Sequence, residues 1–124
     1  MEEFSPVSDK AAFIEEFKRR TKHYVLRSVR VFQALPKTNE AQIIGKQFLR
    51  SASSTGANYR AACRARSKAE FYAKLSITIE EADESLFWME ILAETEIIPF
   101  AKLESLMLEA TEIVKILSKA RKNT

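Results

Sequence analysis

The sequence predicts an all-α protein, an antiparallel up-down-up-down four-helix bundle, and three observations carry that prediction. Only two glycines and three prolines occur in 124 residues, so the chain has few turns and long elements. Apolar and small residues recur at steps of four and three through four successive segments, which is the period of one helix face. The breaks between those segments, near Pro36, Ser67 and Pro99, are short, and short links set consecutive helices side by side. A chain of this length makes one domain with a sizeable core.

Residues 1–8 are expected to form a flexible arm, with Pro6 and two serines among little that packs. The first helix is expected from Asp9, a suitable N-cap, to the break at Pro36. Its inner stripe is Phe17, Thr21, Tyr24, Ser28, Val31 and Leu35, widened by Phe13, Val25, Val29 and Phe32. The second helix runs from about Glu40 to Arg66, with Ala41, Ile44, Phe48, Ser51, Thr55, Asn58, Ala62 and Ala65 inward. Beyond Phe48 that stripe is small or polar, so a neighbouring helix must approach closely. Gly56 costs a helix interior about 1 kcal/mol relative to Ala, which points to the same close approach. Ser51, Thr55, Gly56 and Asn58 are therefore the expected helix-packing residues, Asn58 as a buried amide fixing register.

Ser67-Lys68-Ala69-Glu70 reads as a capping box that opens the third helix. Its inward residues are Leu75, Ile79, Ala82, Leu86, Met89 and Ala93, and it ends before Pro99. The fourth helix starts with Pro99 in its first turn and turns Phe100, Leu103, Met107, Ala110, Val114 and Leu117 inward. Residues 121–124 are a polar tail expected to fray, which leaves residues 9–120 as the bundle. A turn at Ser67 brings Arg50 opposite Glu84, within one protomer or between two.

Net charge is only +3, but it is unevenly placed. Residues 1–74 hold 15 Lys/Arg against 7 Asp/Glu, whereas residues 75–124 hold 5 against 10. Such asymmetry either builds a basic surface for nucleic acid or pairs basic helices with acidic ones. Arg60, Arg64, Arg66, Lys68 and Lys74 cluster at the corner between the second and third helices, interleaved with Tyr59, Phe71 and Tyr72. Cations beside aromatic rings suit RNA or single strands. Lys46 and Arg50 extend the stripe along the second helix, and the competing reading is a solvated face with cross-helix ion pairs. On the third helix, Phe87, Trp88 and Ile91 lie opposite the inner stripe and form an expected oligomer interface.

Other chemistry is weakly supported. A di-metal bundle needs Glu-x-x-His pairs, and the single His23 has no carboxylate one turn away to complete one. Glu80, Glu81, Asp83 and Glu84 then read as a solvated or salt-bridged face. The lone Cys63, with Arg60, Arg64 and Arg66 near it in the chain, reads as a packed thiol before a reactive one. No Gly-rich phosphate loop or catalytic triad pattern is present, so neither an enzyme nor a metal or cofactor is expected. No apolar run approaches the roughly 20 residues of a membrane span, and the N-terminus is polar and acidic. The expected compartment is the cytoplasm.

The segments Ser53-Ser54-Thr55-Gly56-Ala57-Asn58-Tyr59, Ser67-Lys68-Ala69-Glu70-Phe71, Lys74-Leu75 and Glu80-Glu81-Ala82-Asp83-Glu84-Ser85 add a further indication. In their order and spacing the chain resembles, over roughly residues 20–118, a bacterial protein family encoded in intervening sequences of the large-subunit ribosomal RNA. These are four-helix bundles long mislabelled as a ribosomal protein. The resemblance implies a cyclic homopentamer. It also implies kinship with the accessory variability protein of diversity-generating retroelements, a basic pentameric barrel that binds nucleic acid and a reverse transcriptase. Carried over, it makes the cations of the first two helices, Arg19, Arg20, Arg27, Arg30, Lys46, Arg50, Arg60, Arg64 and Arg66, the candidates for nucleic-acid contact. Many members carry a Glu soon after the Asn-Tyr or Asn-Ile pair, where this chain has Arg60-Ala61-Ala62. The expected protein is thus a non-enzymatic homo-oligomer that binds RNA or DNA, with a possible protein partner such as a reverse transcriptase. The alternative is a protein–protein adaptor whose basic faces are used up in ion pairs.

Overall fold

A computed structural model describes the backbone of residues 6–123 and the side chains from Asp9 onward. It contains helices α1 (Pro6–Gln33), α2 (Asn39–Cys63), α3 (Lys68–Glu94) and α4 (Phe100–Lys122). Helix α1 starts three residues before the expected Asp9 cap. Pro6 suits a helix start because it has no N–H to leave orphaned, and Asp9 then lies in the first turn near the positive end of the dipole. Arg121 and Lys122, expected in the tail, are the last turn of α4, where cations complement the negative end. Residues 1–5 of the expected arm and Thr124 lie outside the described residues.

The helix starts are built from short polar side chains. Thr38 Oγ1 accepts from the Ala41 N–H at 3.3 Å and Ser67 Oγ from the Glu70 N–H at 3.0 Å. Glu70 does not return a bond to the Ser67 amide, so only half of the expected capping box forms. Pro99 occupies the N-cap position of α4 rather than its first turn. The end of α3 has no glycine. Glu96 takes the left-handed conformation (φ 60°), so that its N–H reaches the Ala93 carbonyl and the Ile97 N–H reaches Leu92. This is the Schellman arrangement with a glutamate where glycine is usual.

Each helix packs on its chain neighbours, most extensively α2 on α3, and α1 closes the ring against α4 along the thinnest seam. The inner stripes meet in a core led by Tyr24, Phe48, Tyr59, Leu75, Met89, Leu103, Ile113 and Leu117. In α4 the inward set is Leu103, Leu106, Ala110, Ile113 and Leu117. The expected Phe100 is 52% exposed, because at the first residue of α4 it lies at the fringe of the bundle.

Buried hydroxyls satisfy themselves locally. Ser28, Ser51, Thr55 and Thr78 each donate to the carbonyl one turn back, at 2.8 to 3.0 Å, so the close-packed faces carry no orphan donor. Asn58 behaves the same way. Its amide donates to the carbonyl and hydroxyl of Ser54 at 2.9 and 2.8 Å, bracing its own helix and not fixing register with a neighbour as expected. Among the described residues no buried side-chain nitrogen or oxygen lacks a partner.

Candidate nucleic-acid interface

Gly56 faces α1 directly. A Cβ placed on it would lie 2.6 Å from Val25 Cγ2, inside contact distance, so with Val25 in this position the site takes glycine without a shift of that side chain. Outside that contact opens a groove of about 440 Å³, floored by Val25, Ser53, Gly56 and Ala57. Lys18, Arg19 and Lys22 wall it on α1, and Arg60 and Arg64 on α2; among the described residues no carboxylate lines it. Lys18 pairs with Glu15 at 3.0 Å and Arg19 with Glu16, both one turn away and solvent-exposed, a geometry of small energetic weight. Among the described residues Lys22, Arg60 and Arg64 have no ion-pair partner. Like charges crowded over a low-dielectric floor raise a positive potential that an anion relieves.

Three other expected cations are engaged elsewhere. Arg20 donates through Nε and Nη2 to both carboxylate oxygens of Glu109 on α4, at 2.7 and 2.8 Å, and Arg27 donates to Ser105 at 2.9 Å. Arg50 bridges Glu81 (2.9 Å) and Glu84 of α3, so the Arg50–Glu84 pairing expected from the turn at Ser67 forms within the chain. The basic half of the sequence, α1 and α2, is therefore stitched to the acidic half along both of its seams, and the groove lies between the two basic helices. The ion-pair reading of the charge asymmetry holds at Arg20 and Arg50, while the cations of the groove lie outside those cross-helix pairs. Arg30 and Lys46 are exposed and Lys74 is half-buried, and none of the three lines the groove.

A second cavity, of about 610 Å³, opens at the end of the bundle where α1 begins, α4 ends and the chain turns from α2 into α3. Its walls include Phe13, Ile14, Phe71, Leu75 and Leu117, and Lys10, Arg66 and Lys68 surround them. Tyr59, expected as a surface aromatic of the basic corner, is instead buried, its ring edge-on to Phe17 at 5.2 Å between centroids. Tyr72 is exposed and lies under the Arg121 guanidinium. Cys63 lines this cavity, half-buried. Burial pushes its thiol up, and the opposite pull of Tyr59, Lys18 and Arg64 does not offset that. It is a packed thiol, not an activated one.

On α3, Phe87 is 48% exposed and meets Trp88 edge-on, 5.0 Å between centroids. Trp88 and Ile91 are half-buried, and the Trp88 indole donates to Glu84 at 3.0 Å. The register set by Arg50 and Glu84 brings Ile43, 64% exposed and two turns before Arg50, level with Ile91, two turns after Glu84. Ile43 thus extends the apolar patch onto α2, which a search of α3 alone misses.

Lys18 and Lys22, absent from the expected contact set, were recoverable from helical spacing. They share with Val25 the flank of α1 that faces Gly56, whereas Arg20 and Arg27 are turned to the other flank. Among the described residues no cluster of His, Cys, Asp and Glu could hold a metal, and no helix is long and apolar enough to cross a membrane.

The family model described as 23S rRNA-intervening sequence protein matches residues 16–119. A crystal structure of a protein of unknown function from the S23 ribosomal protein family of Bacteroides thetaiotaomicron superposes with a TM-score of 0.80 at 37% identity, covering 85% of this chain and 97% of that one. A search of curated proteins gives no match.

Proposed function

Because the chain belongs to the 23S rRNA-intervening sequence protein family, we propose that it is a homo-oligomeric, non-enzymatic binding protein that engages RNA or DNA through the α1–α2 groove. The observation that carries this reading is the set of five cations around an uncharged floor, with no carboxylate in the lining among the described residues. Phosphate oxygens are the anions such a groove suits, and contacts of this kind are largely blind to sequence. The apolar patch of Ile43, Phe87, Trp88 and Ile91 supplies the subunit contact, in an assembly expected to be a pentamer and cytoplasmic. A ring repeats the groove in every subunit and strengthens its field. Kinship with the accessory variability protein of diversity-generating retroelements, and with it a reverse-transcriptase partner, is part of the same proposal.

The test is binding to RNA and DNA across a salt series, with the assembly's mass measured in the same buffers. Affinity should fall steeply with salt, and the double variant R60E/R64E should weaken binding and flatten the slope by roughly one for each phosphate that is no longer neutralised. K115E on α4, away from the groove, serves as the control. A stable oligomer that ignores nucleic acid at low salt rejects the groove reading. It would favour a protein–protein adaptor, the reading supported by the exposed patch and by the engagement of Arg20 and Arg50 in ion pairs.

A further inference from the structure

We propose that the cavity at the end of the bundle receives an unpaired nucleobase from a strand whose phosphates lie in the α1–α2 groove, an inference that rests on the nucleic-acid reading of that groove. The two spaces are continuous along the chain. Arg64 lines the groove and Cys63, its neighbour, lines the cavity; on α1, Lys18 and Ile14 divide the same way one turn apart. A strand lying along the groove therefore meets the cavity mouth between Lys18 and Arg64, beside Glu15, whose carboxylate Lys18 holds at 3.0 Å.

The mouth has the chemistry of a base site. Phe13 is 46% exposed and starts a ladder of rings, 5.6 Å from Phe17, which in turn stands 5.2 Å from Tyr59. Phe71 of α3 belongs to the same wall. A flat ring placed against the face of either phenyl gains stacking area, and every base has a face to offer. Ser67 and Asn123 lie in the lining, both exposed, where the polar edge of a base can meet them. The Ser67 oxygen accepts from the Glu70 amide, which leaves its proton available to donate. Lys10, Arg66 and Lys68 supply cations for the flanking phosphates. Duplex bases are held in their stack, so the cavity selects single strands or unpaired ends.

The experiment compares a single-stranded oligoribonucleotide with a duplex of the same length on the intact protein. F71L, and F13L as a second variant at an exposed position, keep apolar bulk but remove the ring face. Each should weaken single-strand binding about tenfold while leaving duplex binding unchanged. Cys63 is the only cysteine, so its reaction with a thiol reagent reads occupancy of the cavity; the single strand should slow it and the duplex should not. Should both Phe variants bind single strands like the wild type while R60E/R64E loses both ligands, base insertion is wrong and the groove reading stands. If no nucleic acid binds, both fall. Protection of Cys63 by a long-chain carboxylate but not by the oligonucleotide also overturns the inference.

Discussion

Tyr24 and Ser85 join α1 to α3 across the diagonal of the bundle, hydroxyl to hydroxyl at 2.7 Å and fully buried. The Ser85 proton is directed at the Ala82 carbonyl, also at 2.7 Å, so Tyr24 is the donor between them. Burial pushes the Tyr24 hydroxyl well above its ordinary value, and the phenol stays neutral. The serine that closes the Glu80–Ser85 segment thus has a core role, while Glu81 and Glu84 of the same segment face Arg50.

Y24F removes the donor and leaves Ser85 with an unmet acceptor, at a cost of about 1–2 kcal/mol. Adding S85A should recover part of that loss, because removing both partners leaves no buried group unsatisfied. Chemical denaturation of the two single variants and the double variant measures the coupling. Strict additivity would mean that the bond contributes nothing beyond packing.

At Gly56 two effects oppose each other. Alanine raises helix propensity by about 1 kcal/mol, yet its methyl would collide with Val25 Cγ2. Overpacking typically costs about 1–3 kcal/mol, so G56A should be net destabilising. The double variant G56A/V25A should recover stability relative to G56A, since shortening Val25 clears the space. Thermal melts of the two variants check this.

Glu96 holds a left-handed conformation that costs a non-glycine residue roughly 1–2 kcal/mol. E96G should therefore stabilise the protein by up to about 1 kcal/mol, less than the full strain because glycine also loosens the unfolded chain. A fall in stability would show that the Glu96 side chain contributes more than its backbone costs.

Hydrogen bonds from Trp88 and then Arg50 hold the Glu84 carboxyl below the usual carboxylate range. A depressed folded value stabilises the fold fully above the ordinary carboxylate value, and that contribution is lost as pH falls through the folded value. E84Q should accordingly flatten the dependence of stability on pH below about pH 5 and leave its form at neutral pH unchanged. The effect is small, because the Glu84 side chain is 35% exposed and solvent screens the pair. Urea midpoints of E84Q and wild type between acid and neutral pH provide the comparison.

Helix number, the breaks at Pro36, Ser67 and Pro99, most of each inner stripe and the Arg50–Glu84 register were all legible in the chain, because they follow from local propensity and a 3.6-residue period. Gly56 was legible as a close approach. Its partner Val25 was not, since the pattern shows that a neighbour must come near but not which side chain it brings. Asn58 and Tyr59 misled for a related reason. An amide on the inner stripe bonds back to Ser54 as readily as it reaches a neighbour, and a tyrosine among arginines turns inward when a ring such as Phe17 waits there.

The sequence by itself determined that this is an up-and-down bundle with a basic and an acidic half. Only the tertiary structure decided which cations remain available to a ligand. Arg19 and Arg20 are adjacent and chemically identical, yet a rotation of about 100° per residue turns one toward the groove and the other toward Glu109. Which flank of α1 meets α4 is settled when the ring closes, a contact between residues 89 apart in the chain. Charge is a property of the residue; its availability is a property of the neighbour.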